Sequence, residues 1–304
     1  MAYRRTLRQE VGCTGIGLHS GKAVQLTLKP AAAESGICFV RTDIGVEIPA
    51  RIEHLAHLDH ATTLSCGGAS IATVEHLLSA LYALGVDDVR IEVSGPEVPI
   101  LDGSAAPFVI LIHEAGLRPQ AVPRRYLKVR QTIEVARGAK WARLSPAEHF
   151  RVSYSIAFDH PLLRHQAISL RLTTATFVES IAPARTFGFL REVEMLRRNG
   201  LALGGSLENA VVIGESGVLN KLRFTNEFVR HKVLDAVGDL ALVGFPIVGH
   251  FEASRAGHAL HAALAQELVA RADAWALVTH PQLPLLELPR PNPAPAPELR
   301  PQPG

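Results

Sequence analysis

With 304 residues, 47% hydrophobic and 20% charged, the chain has material for one large or two medium globular domains, each able to bury its own core. Net charge is +2 from 31 basic and 29 acidic residues, so there is no global field of the kind that drives nonspecific nucleic-acid binding. The segment MAYRRTLRQE has no apolar signal core and no run reaches the roughly 18 apolar residues of a membrane span, so the expected compartment is the cytoplasm; nothing in the sequence predicts an oligomer, and a monomer is the expectation. Cys13, Cys38 and Cys66 are odd in number and lack CxxC spacing, which argues against a disulfide framework, a zinc ribbon and a redox pair.

In chain order, Gly15, Gly17 and Gly21 have the wrong last interval for GxGxxG and precede a strand instead of following one. GLHSGKA fails as a P-loop, with too few residues between its glycines and Ala23 where a magnesium-binding hydroxyl belongs. Residues 21–29 and 88–93 alternate apolar and polar positions and predict half-buried strands. EHLAHLDH places His54, His57 and His60 at three-residue spacing, but the run leads into the predicted strand ATTLS with no acid placed as a second ligand, so it is read as structural. A helix is predicted from Val74 to Leu84, with Leu77, Leu78, Leu81 and Leu84 as its core stripe and Gly85 as its stop. A second follows DGSAAPF, capped by Asp102 or Ser104, with Pro107 in its first turn and Gly116 at its end.

The Pro-containing, basic stretch LRPQAVPRR, 117–125, is the best domain boundary. Beyond it YLKVRQTIEV reads as one strand, followed by further strands, a helix containing HKVLDAVGD, a strand at PIVGHFEA and a helix at about 258–271. The expected organisation is an α+β fold with domains at 1–120 and 125–280, two variations on one plan, and a tail at 281–304 whose nine prolines predict disorder or a polyproline II conformation.

HKVLDAVGD sets His231, Asp235 and Asp239 four residues apart within a mostly apolar helix. At about 100° and 1.5 Å per residue, a step of four returns to within about 40° of the same direction and about 6 Å along the axis. A stripe of His, Asp and Asp among Phe228, Val229, Val233, Leu234, Ala236 and Val237 needs a partner, whether a metal, a buried hydrogen-bond network or solvent, and this motif alone leaves the three open. Glu75 and His76 in TVEHLL add an acid beside a third potential ligand. Two His and one Asp would leave a tetrahedral zinc one open position, as metal-assisted hydrolysis requires, while the absence of HExxH removes the common zinc peptidases.

The runs GCTGIGLHSGK, TVEHLLSAL, GPEVPILDGSAAPF, ARTFGF, GLALGGSLENA, EFVRHKVLDAVGDL and GHAL occur in an order and spacing that resemble the UDP-3-O-acyl-N-acetylglucosamine deacetylase family, over roughly residues 3–275. The resemblance implies two two-layer α+β sandwich domains, each a sheet packed with two helices and carrying a small insert, with the active site between them. It implies zinc-dependent removal of the acetyl group from a UDP-linked acylated amino sugar, the committed step of lipid A synthesis, with iron as a possible substitute for zinc. His76, His231 and Asp235 resemble the metal ligands, Glu75 the general base, His258 the protonated acid, Asp239 its hydrogen-bond partner and Thr186 the hydroxyl on the developing oxyanion.

Lys232 resembles a cation reaching the substrate, and the resemblance puts Phe158 near the uridine diphosphate, with Lys140 and Arg255 at its phosphates. His19 is placed at the site, and Leu190, Val193, Ala202, Gly205, Leu207 and Val212 along an acyl passage in an insert at about 187–213. Departures from the family pattern are a turn about two residues shorter at VLNKLRFTNEF, and His261 and Ala262 where asparagines are usual; neither position is a proposed ligand. Two other readings use the same residues: a zinc amidohydrolase for another amide, and a structural metal closed by a fourth ligand, for which His258 is the candidate.

Overall fold

Alternation builds the sheets of the computed structural model, which describes residues 2–279. In Ala23–Pro30 the side chains of Val24, Leu26 and Leu28 are buried, and in Val89–Val93 those of Val89, Ile91 and Val93. These two strands sit in a five-stranded sheet ordered Val11–Ile16, Ala23–Pro30, Val89–Val93, Ile37–Arg41, Val46–Pro49, antiparallel except where the third meets the fourth. A second five-stranded sheet runs Ile133–Arg137, Lys140–Ser145, His250–Ser254, Arg151–Ile156, Gln166–Arg171, again with its one parallel contact between third and fourth. In both, the central strand is the last to occur in the chain and lies between two helices in sequence.

The described residues form six α-helices: α1 (Glu75–Leu84), α2 (Ala106–Ala115), α3 (Thr174–Ser180), α4 (Leu190–Arg198), α5 (Glu227–Ala241) and α6 (His258–Ala270). α1 buries Leu77, Leu78, Leu81 and Leu84 and stops at Gly85, whose φ of +72° closes a left-handed cap. α5 is buried at every position except Arg230 and Lys232, and it crosses the first turn of α1 so closely that a Cβ on Gly238 would lie 2.1 Å from the Glu75 carbonyl oxygen. This contact explains a glycine in mid-helix, where it costs about 1 kcal/mol relative to alanine. One apolar core runs through both halves.

Several expectations need correction. The stretch taken as a connector is the strand Leu117–Pro123, paired antiparallel with Tyr3–Leu7, so its prolines lie in a two-stranded ribbon. YLKVRQTIEV is two strands: Tyr126–Val129 pairs with Trp275–Val278 and Ile247–Val248, whereas Ile133–Arg137 joins the second large sheet. The break comes where the Arg130 and Gln131 amides turn to bond the Ala274 carbonyl. PIVGHFEA likewise divides into Ile247–Val248 and His250–Ser254.

At α2 the cap residue is Ala105, while the Ser104 hydroxyl accepts from the Ala106 amide and is itself held by Asp102. α3 and α4 lie outside the expected two-helix plan. α3 is set by a capping box between Thr173 and Thr176, and α4 buries none of its residues, its apolar Leu190, Val193 and Leu196 lining a cavity instead of the core. The Pro-rich tail lies outside the described residues. Among the described residues no helix is long and apolar enough to cross a membrane, and the three cysteines are unpaired.

Candidate active site

The first half contributes α1 to the site and the second α5 and the start of α6, at His258. The first turn of α1 presents Glu75 and His76, and α5 lays His231, Asp235 and Asp239 along the face that packs against it. Thr73, just before α1, holds a φ of +58° that a β-branched residue rarely adopts, and its hydroxyl donates to Glu97, which also accepts the His19 and Ser20 amides. The buried Glu97 carboxylate therefore ties the GLHSG loop to the start of α1.

His76, His231 and Asp235 converge, each offering one ligand atom within 4.8 Å of the others. Asp235 Oδ1 lies 3.2 Å from His231 Nε2 and 3.8 Å from His76 Nε2. The two imidazoles meet edge to face with ring centres 4.9 Å apart. His231 Nδ1 lies 3.0 Å from the Ala184 carbonyl, so it carries the proton and leaves Nε2 a lone pair facing Asp235. Burial, with His231 alongside, pushes His76 down to about 3 and keeps it neutral. Burial works against ionised Asp235, but His231, Lys232, His258 and His76 outweigh it and hold the carboxyl well below its usual range. Two neutral imidazoles and a carboxylate, convergent and buried, fit a divalent metal.

Beside the triad stand an acid and a base of opposite tendency. Burial raises Glu75 to about 7, with Asp239 and Asp235 adding to the effect against His258. Burial opposes charge on His258, but Asp239 beside its Nδ1, at 2.8 Å, dominates together with Asp235 and Glu75, and His258 is pushed up to about 9. His258 Nε2 points toward Glu75 and Asp235, 4.0 Å from each. It is not a member of the three-residue cluster, which counts against a closed structural metal.

Two adjoining cavities meet at these residues. One, of 430 Å³, is lined by His19, Glu75, His76, Thr186, His231, Lys232, Asp235 and His258 at its polar end. All six candidate wall residues, Leu190, Val193, Ala202, Gly205, Leu207 and Val212, line the remainder. The insert closes this cavity by stitching to the first half: the Leu203 and Gly204 amides donate to the His19 and Leu18 carbonyls, and a Cβ on Gly204 would strike the Gly17 oxygen at 2.2 Å. The other, of 820 Å³, holds Phe158, Lys140 and Arg255 together with Arg137, Lys232 and His258.

Thr186 is set by backbone bonds to Gly103 and Val211 and by its neighbour Arg185, whose guanidinium pairs with buried Glu227 at 2.9 Å. Burial raises Glu227, but hydrogen bonds from Arg185 and from the Arg223 and Arg185 amides win and lower its pKa. A lowered folded-state pKa means that this pair's contribution to stability is present above the ordinary carboxyl range near 4.5 and is lost as pH falls through the lowered value. Glu227→Gln is accordingly expected to flatten the acid limb of a thermal-stability profile between about pH 5 and 2, and an unchanged limb would remove the pair from acid denaturation.

Three groups were not foreseen. The Thr62 hydroxyl donates to Asp239 Oδ1, His261 Nδ1 lies 2.8 Å from Asp239 Oδ2, and His60, read as structural, lines the smaller cavity. His261 is one of the departures from the family pattern noted above, and it bonds the same Asp239 oxygen as His258.

Against known proteins, residues 4–270 match the family model for UDP-3-O-acyl N-acetylglycosamine deacetylase. The chain belongs to this family. It is 52% identical over 269 residues to UDP-3-O-acyl-N-acetylglucosamine deacetylase of Anaeromyxobacter dehalogenans, covering 88% of this chain and 87% of that one. The deacetylases of Acidithiobacillus ferrooxidans and Pseudomonas entomophila are 48% and 47% identical, covering 92% and 91% of this chain and 94% of each relative. Deacetylases of this family are metal-dependent, in keeping with the His–His–Asp cluster of this chain.

Proposed function

We infer that this protein hydrolyses the 2-acetamido group of a UDP-3-O-acyl-N-acetylglucosamine, releasing acetate and the free amine in the committed step of lipid A synthesis. The observation that carries the reading is the placing of Glu75 and His258, 4.0 Å apart, beside the His76–His231–Asp235 cluster at the junction of an apolar cavity and a basic one.

His76, His231 and Asp235 would hold the metal, and zinc is the ion that such a donor set with an open position suits, with iron the competitor. When bound, the metal supplies Lewis-acid activation of water and of the amide carbonyl. Glu75 takes the proton of the attacking water as its oxygen bonds to the carbonyl carbon. The Thr186 hydroxyl donates to the carbonyl oxygen as charge gathers there. His258, held charged by Asp239, gives its proton to the sugar nitrogen as the carbon–nitrogen bond breaks, and acetate leaves with the added oxygen.

Lys232, whose Nζ sits 2.8 Å from Asp235 Oδ2, adds positive charge where both cavities meet. The smaller cavity takes the fatty acyl chain. Lys140 and Arg255 face the diphosphate in the larger, and the half-buried Phe158 ring offers its face to uracil. A nucleotide-linked substrate and three unpaired cysteines suit the reducing cytoplasm.

The test is acetate release from a UDP-3-O-acyl-N-acetylglucosamine by purified protein, before chelation, after chelation and after adding back zinc or iron(II). Activity lost and regained is expected. Full activity in metal-free protein, or none in metal-loaded protein, would sink the reading.

A further inference from the structure

Thr62 lies in the insert of the first half, between the strands Leu55–His57 and Thr63–Cys66, and is fully buried. Its main chain grips the start of α1: the Thr62 amide donates to Glu75 Oε2 at 3.1 Å, and its carbonyl accepts from the Val74 amide at 3.3 Å. Its hydroxyl reaches the other half, donating to Asp239 Oδ1 and lying 3.1 Å from His258 Nδ1. One residue thus contacts both the Glu75 carboxylate and the Asp239–His258 pair.

The bonding of Asp239 determines what that hydroxyl does. Oδ2 receives both His258 Nδ1 and His261 Nδ1, each at 2.8 Å. Oδ1 has Thr62 as its hydrogen-bond donor among the described residues. A carboxylate bonded through one oxygen alone can turn about its Cβ–Cγ bond and exchange its oxygens, whereas one pinned at both cannot. With Asp239 pinned, the Nδ1–H bond fixes the plane of the His258 ring, and Nε2 is left facing the cavity and Glu75.

The geometry points to Thr62 as a positioning residue for this deacetylation: its hydroxyl locks the Asp239 carboxylate and so the aim of His258, while its amide orients Glu75. The inference rests on the roles given above to Glu75 and His258. Thr62 itself is absent from the lining of both cavities, and its side-chain hydrogen bonds go to Asp239 and His258.

The test compares Thr62→Val, which keeps shape and amide but lacks the hydroxyl, with Thr62→Ser, which restores the hydroxyl. The valine protein is expected to lose about 10–100-fold in kcat, with KM and metal content unchanged, and the serine protein to return to within about threefold of the parent. Equal loss in both proteins, or a change confined to KM, would assign the effect to packing and overturn the inference. So would full kcat in the valine protein.

Thr62→Ala serves if the valine protein does not fold. A readout independent of turnover is the His258 Nδ1 resonance in ¹⁵N-histidine-labelled, metal-free protein, expected to shift in Thr62→Val and to recover in Thr62→Ser. Its constancy would also overturn the inference. Parallel assays of His258→Gln and Glu75→Gln separate the two levels: activity retained in those proteins removes the acid and base assignments, whereas activity lost there but kept in Thr62→Val removes only the role of Thr62.

Discussion

Glu75→Gln is expected to lower kcat by about 10²–10⁴-fold while leaving the bound metal and the melting temperature close to those of the parent. Glutamine matches glutamate in shape, and its amide oxygen can still accept from the Thr62 amide that now bonds Oε2. The neighbouring His76 ring, directed toward Asp235 and His231, has no hydrogen bond to Glu75 that the change would break. What disappears is a proton acceptor which burial and two nearby carboxylates have raised to about 7, and so matched to work near neutrality. Single-turnover acetate release and metal analysis on one preparation decide the matter. Retained turnover would remove Glu75 as the base, and loss of metal would make it part of the metal's support.

The second large effect is expected where no chemistry occurs. Gly238→Ala places a methyl carbon 2.1 Å from the Glu75 carbonyl oxygen and 2.7 Å from its carbon. Both obstructing atoms are backbone, so no side-chain rotation relieves them and α1 and α5 must separate. Alanine gains about 1 kcal/mol in helix propensity, but overpacking a filled contact costs about 1–3 kcal/mol and prevails. The larger consequence is in rate, because the same contact sets Glu75, the proposed base, on α1 against Asp235 and Asp239 on α5. A displacement of about 1 Å between reacting groups costs about 10²-fold. Thermal unfolding and kcat, measured together, should both fall; an unchanged kcat would show that the helices part without moving the site.

The fold was legible where the apolar residues of an element recur at that element's own period. Ala23–Pro30, Val89–Val93, α1 and α5 carry their periodicity in sequence because each packs one or more faces into the core. α4 has no buried residue, and its periodic pattern marks a cavity wall instead of a core, so periodicity could not place it in the layers. Leu117–Pro123 was read as a linker on account of its prolines, yet the two-stranded ribbon accommodates them, Pro119 opposite Arg5 and Pro123 opposite Tyr3.

The family reading was carried by order and spacing across seven runs, and the match over residues 4–270 bears it out. Within the site, residues sharing a helix were the easiest to connect. His261 stood three positions after His258 on α6, a spacing that already places both on one face, whereas Thr62 reaches Asp239 across 177 positions and left no mark in local sequence.

The two large sheets carry one wiring diagram: four strands, a helix, a central strand that slots between earlier ones, and a second helix, with the lone parallel contact in the same place. In that shared plan α1 and α5 hold the same place, each the helix that precedes the central strand. The two equivalent helices pack against each other, yet they carry different residues, Glu75 and His76 at the start of one and His231, Asp235 and Asp239 along the other. A repeated scaffold thus meets at an asymmetric centre.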